Sequence, residues 1–202
     1  MRRRLSRAER TGLNRDQLLA AARRVFLARG YERATLEAIA QEAGFSKGVV
    51  YSQFASKADL FLALLERRID ERAGRNEAIA KRLSGAEGVA TLVRTAREQS
   101  EAEPEWRLLV LEFRLHAARD RELSRRYREA HQRTIAGVAS VIEQVLASGG
   151  EEPIESPRHL AALVLALEPG LILERIADPR TIPNAVAERA FARLVGVREP
   201  GP

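Results

Sequence analysis

Residues 35–57, which read TLEAIAQEAGFSKGVVYSQFASK, constrain the fold of this chain more than any other segment. Apolar residues recur there at helical spacing, and Thr35 precedes them as a helix N-cap. We expect Gly44 to end this first helix, because glycine takes a left-handed backbone conformation without steric cost. Ser46 then caps a second short helix over residues 47–54. Two short helices joined by such a turn are typical of a helix-turn-helix, whose second helix enters the major groove of DNA.

The same residues resemble a known family. Gly44-Phe45-Ser46-Lys47-Gly48, followed by Val50-Tyr51, Phe54 and the run SKADL at residues 56–60, is similar to the DNA-binding domain of TetR/AcrR-type repressors. In that family the stretch commonly reads G-V-S-K-G-T-L-Y-x-x-F-x-S-K-x-x-L. The chain departs from it at Phe45, where a smaller apolar residue is usual, and at Val49-Val50, where a pair such as Thr-Leu is usual. The resemblance is close over residues 12–65.

The helical pattern and the resemblance together predict an all-α fold of about nine helices. A basic, disordered arm at residues 1–11 would precede a three-helix DNA-binding domain at residues 12–60, with the motif at 35–54. Asn14 is expected to cap the first helix, and Gly30 to end it. Residues 61–202 would form a helical bundle for ligand binding and dimerisation. Within it, Ser156 as N-cap and Pro157 in the first turn are expected to start a helix that runs to about residue 177, with a kink at Pro169-Gly170.

Composition excludes several other classes of protein. The chain has no cysteine, which rules out disulfides, thiol catalysis and thiolate metal sites. Its three histidines lack clustered carboxylates at metal-binding spacing, so neither a metal nor another cofactor is expected. It also lacks a glycine-rich phosphate loop and a nucleophile elbow, which argues against an enzyme. With no signal-peptide pattern and no uncharged apolar stretch of membrane-spanning length, we expect a cytoplasmic protein, on the nucleoid when bound to DNA.

The excess positive charge lies in the segment that carries the motif. Residues 1–60 hold 12 Lys and Arg against 6 Asp and Glu, whereas residues 61–202 hold 22 of each. One cationic domain beside a neutral one indicates that a single domain meets the phosphate backbone. This distribution argues against an architectural protein that covers DNA with its whole surface.

The second helix of the motif supplies most of the predicted DNA contacts. Lys47 and Tyr51 would bind phosphates, and Gly48 would let the backbone approach the duplex. Periodicity places Ser52 and Gln53 outward, and the Gln53 amide can pair with adenine while Val49 contacts a thymine methyl. Lys57 sits unfavourably in the first turn of the next helix, which suggests a phosphate contact. The full predicted set is Thr35, Ser46, Lys47, Gly48, Val49, Tyr51, Ser52, Gln53 and Lys57.

Two further surfaces are predicted in the C-terminal part. The run from 160 to 176 is apolar on nearly every side, so one side needs a partner, and the resemblance implies a dimer through the last two helices. The predicted dimer residues are Leu160, Leu163, Val164, Leu167, Leu171, Phe191 and Leu194. Apolar side chains interspersed with a few polar groups predict an effector pocket. Its candidate residues are Trp106, Leu109, Glu112, Phe113, His116, Tyr127 and His131, although Glu112 or a histidine can equally be a satisfied core residue.

These features predict a ligand-responsive transcriptional regulator, a repressor by the resemblance. It would bind a palindromic operator as a dimer and be released by a small apolar or amphipathic effector. The alternative is a constitutive or partner-regulated DNA-binding protein with no small-molecule effector. A protein-binding adaptor that has lost DNA binding is disfavoured by the intact Lys47, Gly48, Tyr51 and Lys57.

Overall fold

The computed structural model describes residues 7–150 and 155–195, and within them the chain forms nine α-helices and no β-strand, as the sequence predicted. The helices are α1 (Arg7–Arg33), α2 (Leu36–Ala43), α3 (Lys47–Tyr51), α4 (Lys57–Ala80), α5 (Gly85–Ala102), α6 (Pro104–Ala117), α7 (Arg121–Ser148), α8 (Pro157–Ala177) and α9 (Asn184–Leu194). No helix in these two ranges combines the length and the apolar character needed to cross a membrane.

The chain divides into two compact units. The first comprises the chain up to Arg68 together with Leu108–Tyr127, and the second comprises Ile69–Arg107 together with the chain from Arg128 onward. The first unit therefore includes most of α6 and the beginning of α7, a segment that lies far from its other residues in the sequence. The sequence predicted a boundary near residue 60, but it contained no signal for this added segment.

An aromatic cluster forms the core of the first unit. Phe61 of α4 stacks on Phe113 of α6 with ring centroids 4.3 Å apart, and Phe26 of α1 meets Phe61 edge-on at 5.2 Å. Tyr31 contacts Phe113 at 4.9 Å, and Tyr127 of α7 contacts the same ring at 5.7 Å. Such edge-to-face and stacked pairs contribute roughly 0.5–1.5 kcal/mol each beyond the burial of their area. The helix-turn-helix therefore rests on a core completed by α6 and α7.

Helix α1 begins before its predicted start, and it is interrupted at Gly30, where the sequence predicted its end. It begins at Arg7, so Asn14 lies inside the helix and is not its N-cap, and residues 7–11 of the predicted arm are helical. Residues 1–6 of that arm lie outside the described residues. Near the other end, Gly30 adopts φ 75° and ψ 170°, which bends the chain as the sequence suggested. The turn is fixed by Glu112, whose carboxylate accepts the backbone N–H groups of Tyr31 at 3.0 Å and Glu32 at 3.1 Å.

The second unit has an aliphatic core between α5, α7 and α8. Val145 and Leu146 of α7 and Leu160 and Ala161 of α8 are each at most 1% exposed. Helix α8 starts where the sequence predicted, with Ser156 accepting the N–H of His159 at 3.3 Å and Pro157 in the first turn. It continues through Pro169 to Ala177, where the sequence predicted a kink at Pro169-Gly170.

Candidate DNA-binding surface and C-terminal cavity

Helix α2 has the predicted boundaries, and α3 starts at the predicted residue but ends at Tyr51, before the predicted end at residue 54. Thr35 caps α2 by accepting the N–H of Ala38 at 3.1 Å, and Gly44 ends it in the left-handed conformation with φ 71°. The N–H of Phe45 bonds to the carbonyl of Ala40 at 2.9 Å, and that of Gly44 to the carbonyl of Gln41 at 3.2 Å. This pair of bonds is the Schellman motif, which satisfies the last carbonyls of a helix. The caps therefore fix where α2 ends and α3 can start.

Helix α3 presents a polar outer face and a buried inner one. Val50 and, just beyond the helix, Phe54 are at most 3% exposed and anchor it to the core. The outer face carries Lys47, Gly48, Tyr51 and Ser52, all of which are exposed, and Tyr51 keeps 50% of its surface accessible although it is aromatic. The predicted contacts Thr35 and Ser46 are also exposed, and Ser46 makes no side-chain capping bond.

A carboxylate outside the predicted set of DNA contacts lies beside the outer face of α3. Oε1 of Glu37, in the first turn of α2, accepts the hydroxyl of Tyr51 at 3.2 Å and lies 3.6 Å from the Nζ of Lys47. Hydrogen bonds from its own backbone N–H and from Tyr51 lower the pKa of Glu37, and the same contact raises the pKa of Tyr51. Glu37 therefore stays ionised and holds both predicted phosphate ligands on one side of the motif. Glu37 lies 10 residues before Lys47 in the sequence, and no local sequence pattern predicts a contact between residues at that spacing.

Gln53 departs from its predicted orientation. It follows α3, its side chain is partly buried, and its Oε1 is enclosed with no hydrogen-bond partner. Periodicity extended the helix to residue 54 and so placed Gln53 outward, but α3 ends at Tyr51 and the chain turns there. Val49 is also partly buried. The exposed candidates for contact with bases are consequently Lys47, Gly48 and Ser52.

Lys57 has a partner within the protein. Its Nζ donates to the carbonyl of Glu32 at 2.7 Å and lies 4.7 Å from the centre of the Tyr31 ring. Burial lowers the pKa of Lys57, which indicates that the amine is partly withdrawn from water. The unfavourable position of Lys57 in the first turn of α4 thus has an explanation inside the fold, because the amine caps the chain after the Gly30 bend.

A cavity lies within the second unit, between α4, α5, α8 and α9. It is partly open to solvent, and the space it spans, with that solvent counted, is about 600 Å³. Its apolar walls come from Val93 and Ala96 of α5, Val164, Leu171 and Ile172 of α8, and Ala187 and Phe191 of α9; its charged residues are Arg72, Arg97, Glu168, Arg175 and Glu188. Apolar walls with a few polar groups are the usual form of a small-molecule site.

None of the seven predicted effector residues lines this cavity. Glu112 holds the Tyr31 turn, and Phe113 is completely buried in the aromatic cluster that Tyr127 also joins. His116 is exposed and lies against the Tyr31 ring, while Leu109 is buried in the first unit. Trp106 and His131 belong to the second unit. The predicted set is therefore divided between the two units, and most of it serves the fold of the first. No cluster of three possible metal ligands occurs in residues 7–150 and 155–195.

The five predicted dimer residues of α8 fall on three different faces of that helix, and the other two belong to α9. Leu160, with Ala161 and Leu165, packs into the core, so it is not available to a partner. Val164 and Leu171 line the cavity together with Phe191 of α9. Leu163 and Leu167 are 46% and 47% exposed, and the remaining predicted residue, Leu194, is partly buried. Further exposed apolar residues are Leu173 and Ile176 of α8 and Val186 of α9.

Comparison with known proteins agrees with the fold and with the motif. The profile described as "Bacterial regulatory proteins, tetR family" matches residues 18–64, and that described as "BetI-type transcriptional repressor, C-terminal" matches residues 85–196, more than half of the chain. The HTH-type transcriptional activator FasR of Mycolicibacterium smegmatis is 51% identical over 67 residues, 33% of this chain and 29% of FasR. The HTH-type transcriptional repressor AcnR of Corynebacterium diphtheriae is 40% identical over 52 residues, 26% of this chain and 27% of AcnR.

The chain thus spans less than a third of the length of these curated relatives. Among solved structures, the transcriptional regulator FadR from Bacillus subtilis in complex with stearoyl-CoA superposes with a TM-score of 0.72 at 18% identity, over 91% of this chain and 99% of FadR. These matches place the chain among helix-turn-helix transcriptional regulators. It belongs to the TetR family.

Proposed function

We propose that the chain is a ligand-responsive transcriptional repressor that binds a palindromic operator as a dimer in the cytoplasm, where it associates with the nucleoid. The observation that carries this proposal is the outer face of α3, where Lys47, Gly48, Tyr51 and Ser52 are exposed beside one another. Lys47 and Tyr51 supply a cation and a hydroxyl for phosphates. A Cβ on Gly48 would meet nothing closer than the Ser46 hydroxyl at 3.9 Å, so its own fold does not require a glycine there. The close approach of DNA to the helix backbone, by contrast, requires a residue without a side chain at this position.

An exposed apolar ridge supports the dimer. Leu163, Leu167, Leu173 and Ile176 keep between 46% and 59% of their surface accessible along α8, and Val186 keeps 45% on α9. Large apolar side chains exposed in this number on one helix are typical of a protein–protein contact. A second copy bound by two-fold symmetry would present two copies of α3, which is the arrangement that reads a palindrome with half-sites about 34 Å apart.

The cavity supports control by a small molecule. Helix α4 begins at Lys57, directly after the motif, and carries Arg72 in the cavity wall four turns later. A ligand that prefers one position of α4 would shift the dimer between a state that binds the operator and one that does not. The shift can be no larger than the difference in the ligand's affinity for the two states. A tenfold loss of operator affinity would correspond to about 1.4 kcal/mol of coupling.

Selection of bound duplexes from a random pool tests the proposal directly. We expect a palindromic consensus that stays bound in excess random DNA at physiological salt. Lys47→Ala should weaken binding to all duplexes and make the salt dependence shallower, whereas Ser52→Ala, at an exposed candidate for base contact, should change the preference at particular positions. Leu167→Asp should convert the dimer to a monomer in light scattering, with the exposed Glu143→Gln as control. Recovery of no consensus, or a wild-type mass of one chain, would refute the proposal.

A further inference from the structure

The charged residues around the C-terminal cavity do not balance. The cavity wall contains Arg72, Arg97 and Arg175 against Glu168 and Glu188. Two residues outside the wall pair with this group: Arg107 with Glu168, and Glu101 with Arg97 and Arg175. In the described part of the chain the cluster therefore holds four arginines and three glutamates. In the cavity wall itself the arginines outnumber the glutamates by one, and the remaining walls are largely apolar.

The three carboxylates are engaged mainly by two of the arginines. Arg97 lies between Glu101 at 2.9 Å and Glu188 at 3.1 Å, and Arg107 forms a close pair with Glu168. The other two arginines reach the same carboxylates only at longer range. Arg72 Nη1 is 3.8 Å from Glu168 Oε2, and Arg175 Nη1 is 3.7 Å from Glu101 Oε1. Both separations exceed the length of a hydrogen bond.

The same two arginines have enclosed N–H groups without an acceptor. The Nε of Arg72 and both the Nε and Nη2 of Arg175 are buried and make no hydrogen bond. Burial also lowers the pKa of Arg72, which shows that its charge is poorly solvated where it lies. A buried donor without an acceptor is costly, and a guanidinium meets that need best with a carboxylate or phosphate, which can accept two parallel N–H bonds.

We propose that the cavity binds a small monoanion with an apolar body, a medium-chain or aromatic carboxylate whose oxygens accept the N–H groups of Arg72 and Arg175. The carboxylate neutralises the surplus charge, and the hydrocarbon part packs on Leu171, Ile172 and Phe191. This assignment rests on the proposed function only in naming the effector, since binding to the cavity is measured without DNA.

Calorimetric titration of the whole chain with hexanoate, octanoate and phenylacetate tests the assignment, with 1-octanol and octylammonium as matched neutral and cationic probes. We expect at least one carboxylate to bind saturably with a stoichiometry of one per chain. Octanoate should bind at least tenfold more tightly than octanol, and octylammonium should not bind. This comparison uses the wild-type protein, so it does not depend on any variant folding.

Variants then locate the anion. Arg72→Met and Arg175→Met should each weaken carboxylate binding at least tenfold and leave octanol binding unchanged. Arg75 is an exposed arginine one turn along α4 from Arg72, and Arg75→Met should change neither the carboxylate affinity nor the octanol affinity. Thermal unfolding of each variant establishes that it is folded. Equal affinity for octanoate and octanol, no saturable carboxylate binding at millimolar concentration, or full affinity in both arginine variants would overturn the assignment.

The DNA measurements remain separate from this result. If the carboxylate binds as expected but operator binding does not respond to it, the site assignment stands and the ligand-responsive mechanism fails. If operator binding responds to another compound while no carboxylate binds, the mechanism stands and the anion assignment fails.

Discussion

The hydroxyl of Tyr51 donates to Oε1 of Glu37 at 3.2 Å, which ties the exposed aromatic residue of α3 to the first turn of α2. Lys47 lies 3.6 Å from the same oxygen. Glu37 thus offers Lys47 and Tyr51 a negatively charged oxygen, as a DNA phosphate would. The Glu37 carboxylate and the phosphate therefore compete for the same two donors. The carboxylate also repels the duplex when the surface docks.

Glu37→Gln should therefore strengthen binding to all duplexes. The substitution removes a negative charge from the docking surface while its amide oxygen can still accept the Tyr51 hydroxyl. We expect roughly threefold tighter binding to random duplexes at low salt, with the gain shrinking as added salt screens the charge. Fluorescence anisotropy across a salt series measures both effects. Glu143→Gln, the same change on the exposed side of α7, is the control, and an unchanged or weaker affinity for Glu37→Gln would contradict the competition.

Glu112→Ala should destabilise the first unit by about 2 kcal/mol, because charge-assisted hydrogen bonds are worth roughly 1.5–3 kcal/mol. The carboxylate holds the backbone N–H groups of Tyr31 and Glu32, and its removal leaves the turn after α1 unsupported. The free energy of unfolding of Glu112→Gln should lie between those of wild type and Glu112→Ala, since an amide has only one oxygen to share between the two N–H donors. Urea unfolding followed by circular dichroism gives the free energies. Glu105→Ala at an exposed position of α6 is the control, and an equal effect of the two alanine variants would refute this role.

The sequence predicted the features that local chemistry decides. The caps at Thr35, Gly44 and Ser156 and the proline at the start of α8 depend only on neighbouring residues, and all four occur where predicted. Glu112 illustrates the opposite case. A polar residue in an apolar helix suggested a ligand pocket, yet its partners are 80 and 81 residues away in sequence. The periodicity of a sequence cannot predict a contact between residues so far apart in the chain.

Helix α8 reveals a second limit of sequence pattern. Its all-round apolar character predicted that one side packs within the chain and another against a partner, but the pattern could not assign the sides. The structure places Leu160 and Leu165 in the core, Val164 and Leu171 in the cavity, and Leu163 and Leu167 on the exposed ridge. Glu168 and Arg175 were not selected from the sequence, because the significance of each depends on which arginine or glutamate of another helix faces it.

Gly30→Ala should also destabilise the first unit. The residue has φ 75° and ψ 170°, a conformation that side chains rarely adopt, and a Cβ there would lie 2.9 Å from Oε2 of Glu112. Backbone strain of this kind costs of order 1–3 kcal/mol, to which displacement of Glu112 adds. Gly137→Ala is the matched control, because it lies within α7 with nothing within 4 Å of its Cβ and should stabilise the protein slightly. Similar unfolding midpoints for the two variants would contradict the strain at Gly30.

The pair of Asp59 and Arg126 should make the stability of the first unit sensitive to acid. Burial works to raise the pKa of Asp59, but hydrogen bonds from Ser56 and Arg126 outweigh it and hold the pKa below its ordinary value. Ser56 donates its hydroxyl to the carboxylate at 2.7 Å, and Arg126 of α7 pairs with the other oxygen.

A carboxyl group whose pKa is depressed by folding contributes stability above its unfolded pKa of about 3.9, and that stability is lost as the pH falls through the folded value. Arg126→Met should therefore lower the free energy of unfolding by about 1 kcal/mol near neutral pH. The difference from wild type should shrink below the folded pKa of Asp59, where both proteins carry a protonated carboxyl. Urea unfolding over a pH series measures this convergence, with Arg125→Met as control because its partner Glu122 is an exposed neighbour three residues away. A difference between wild type and Arg126→Met that stays constant over the acid range would show that Arg126 acts through packing and not through the charge of Asp59.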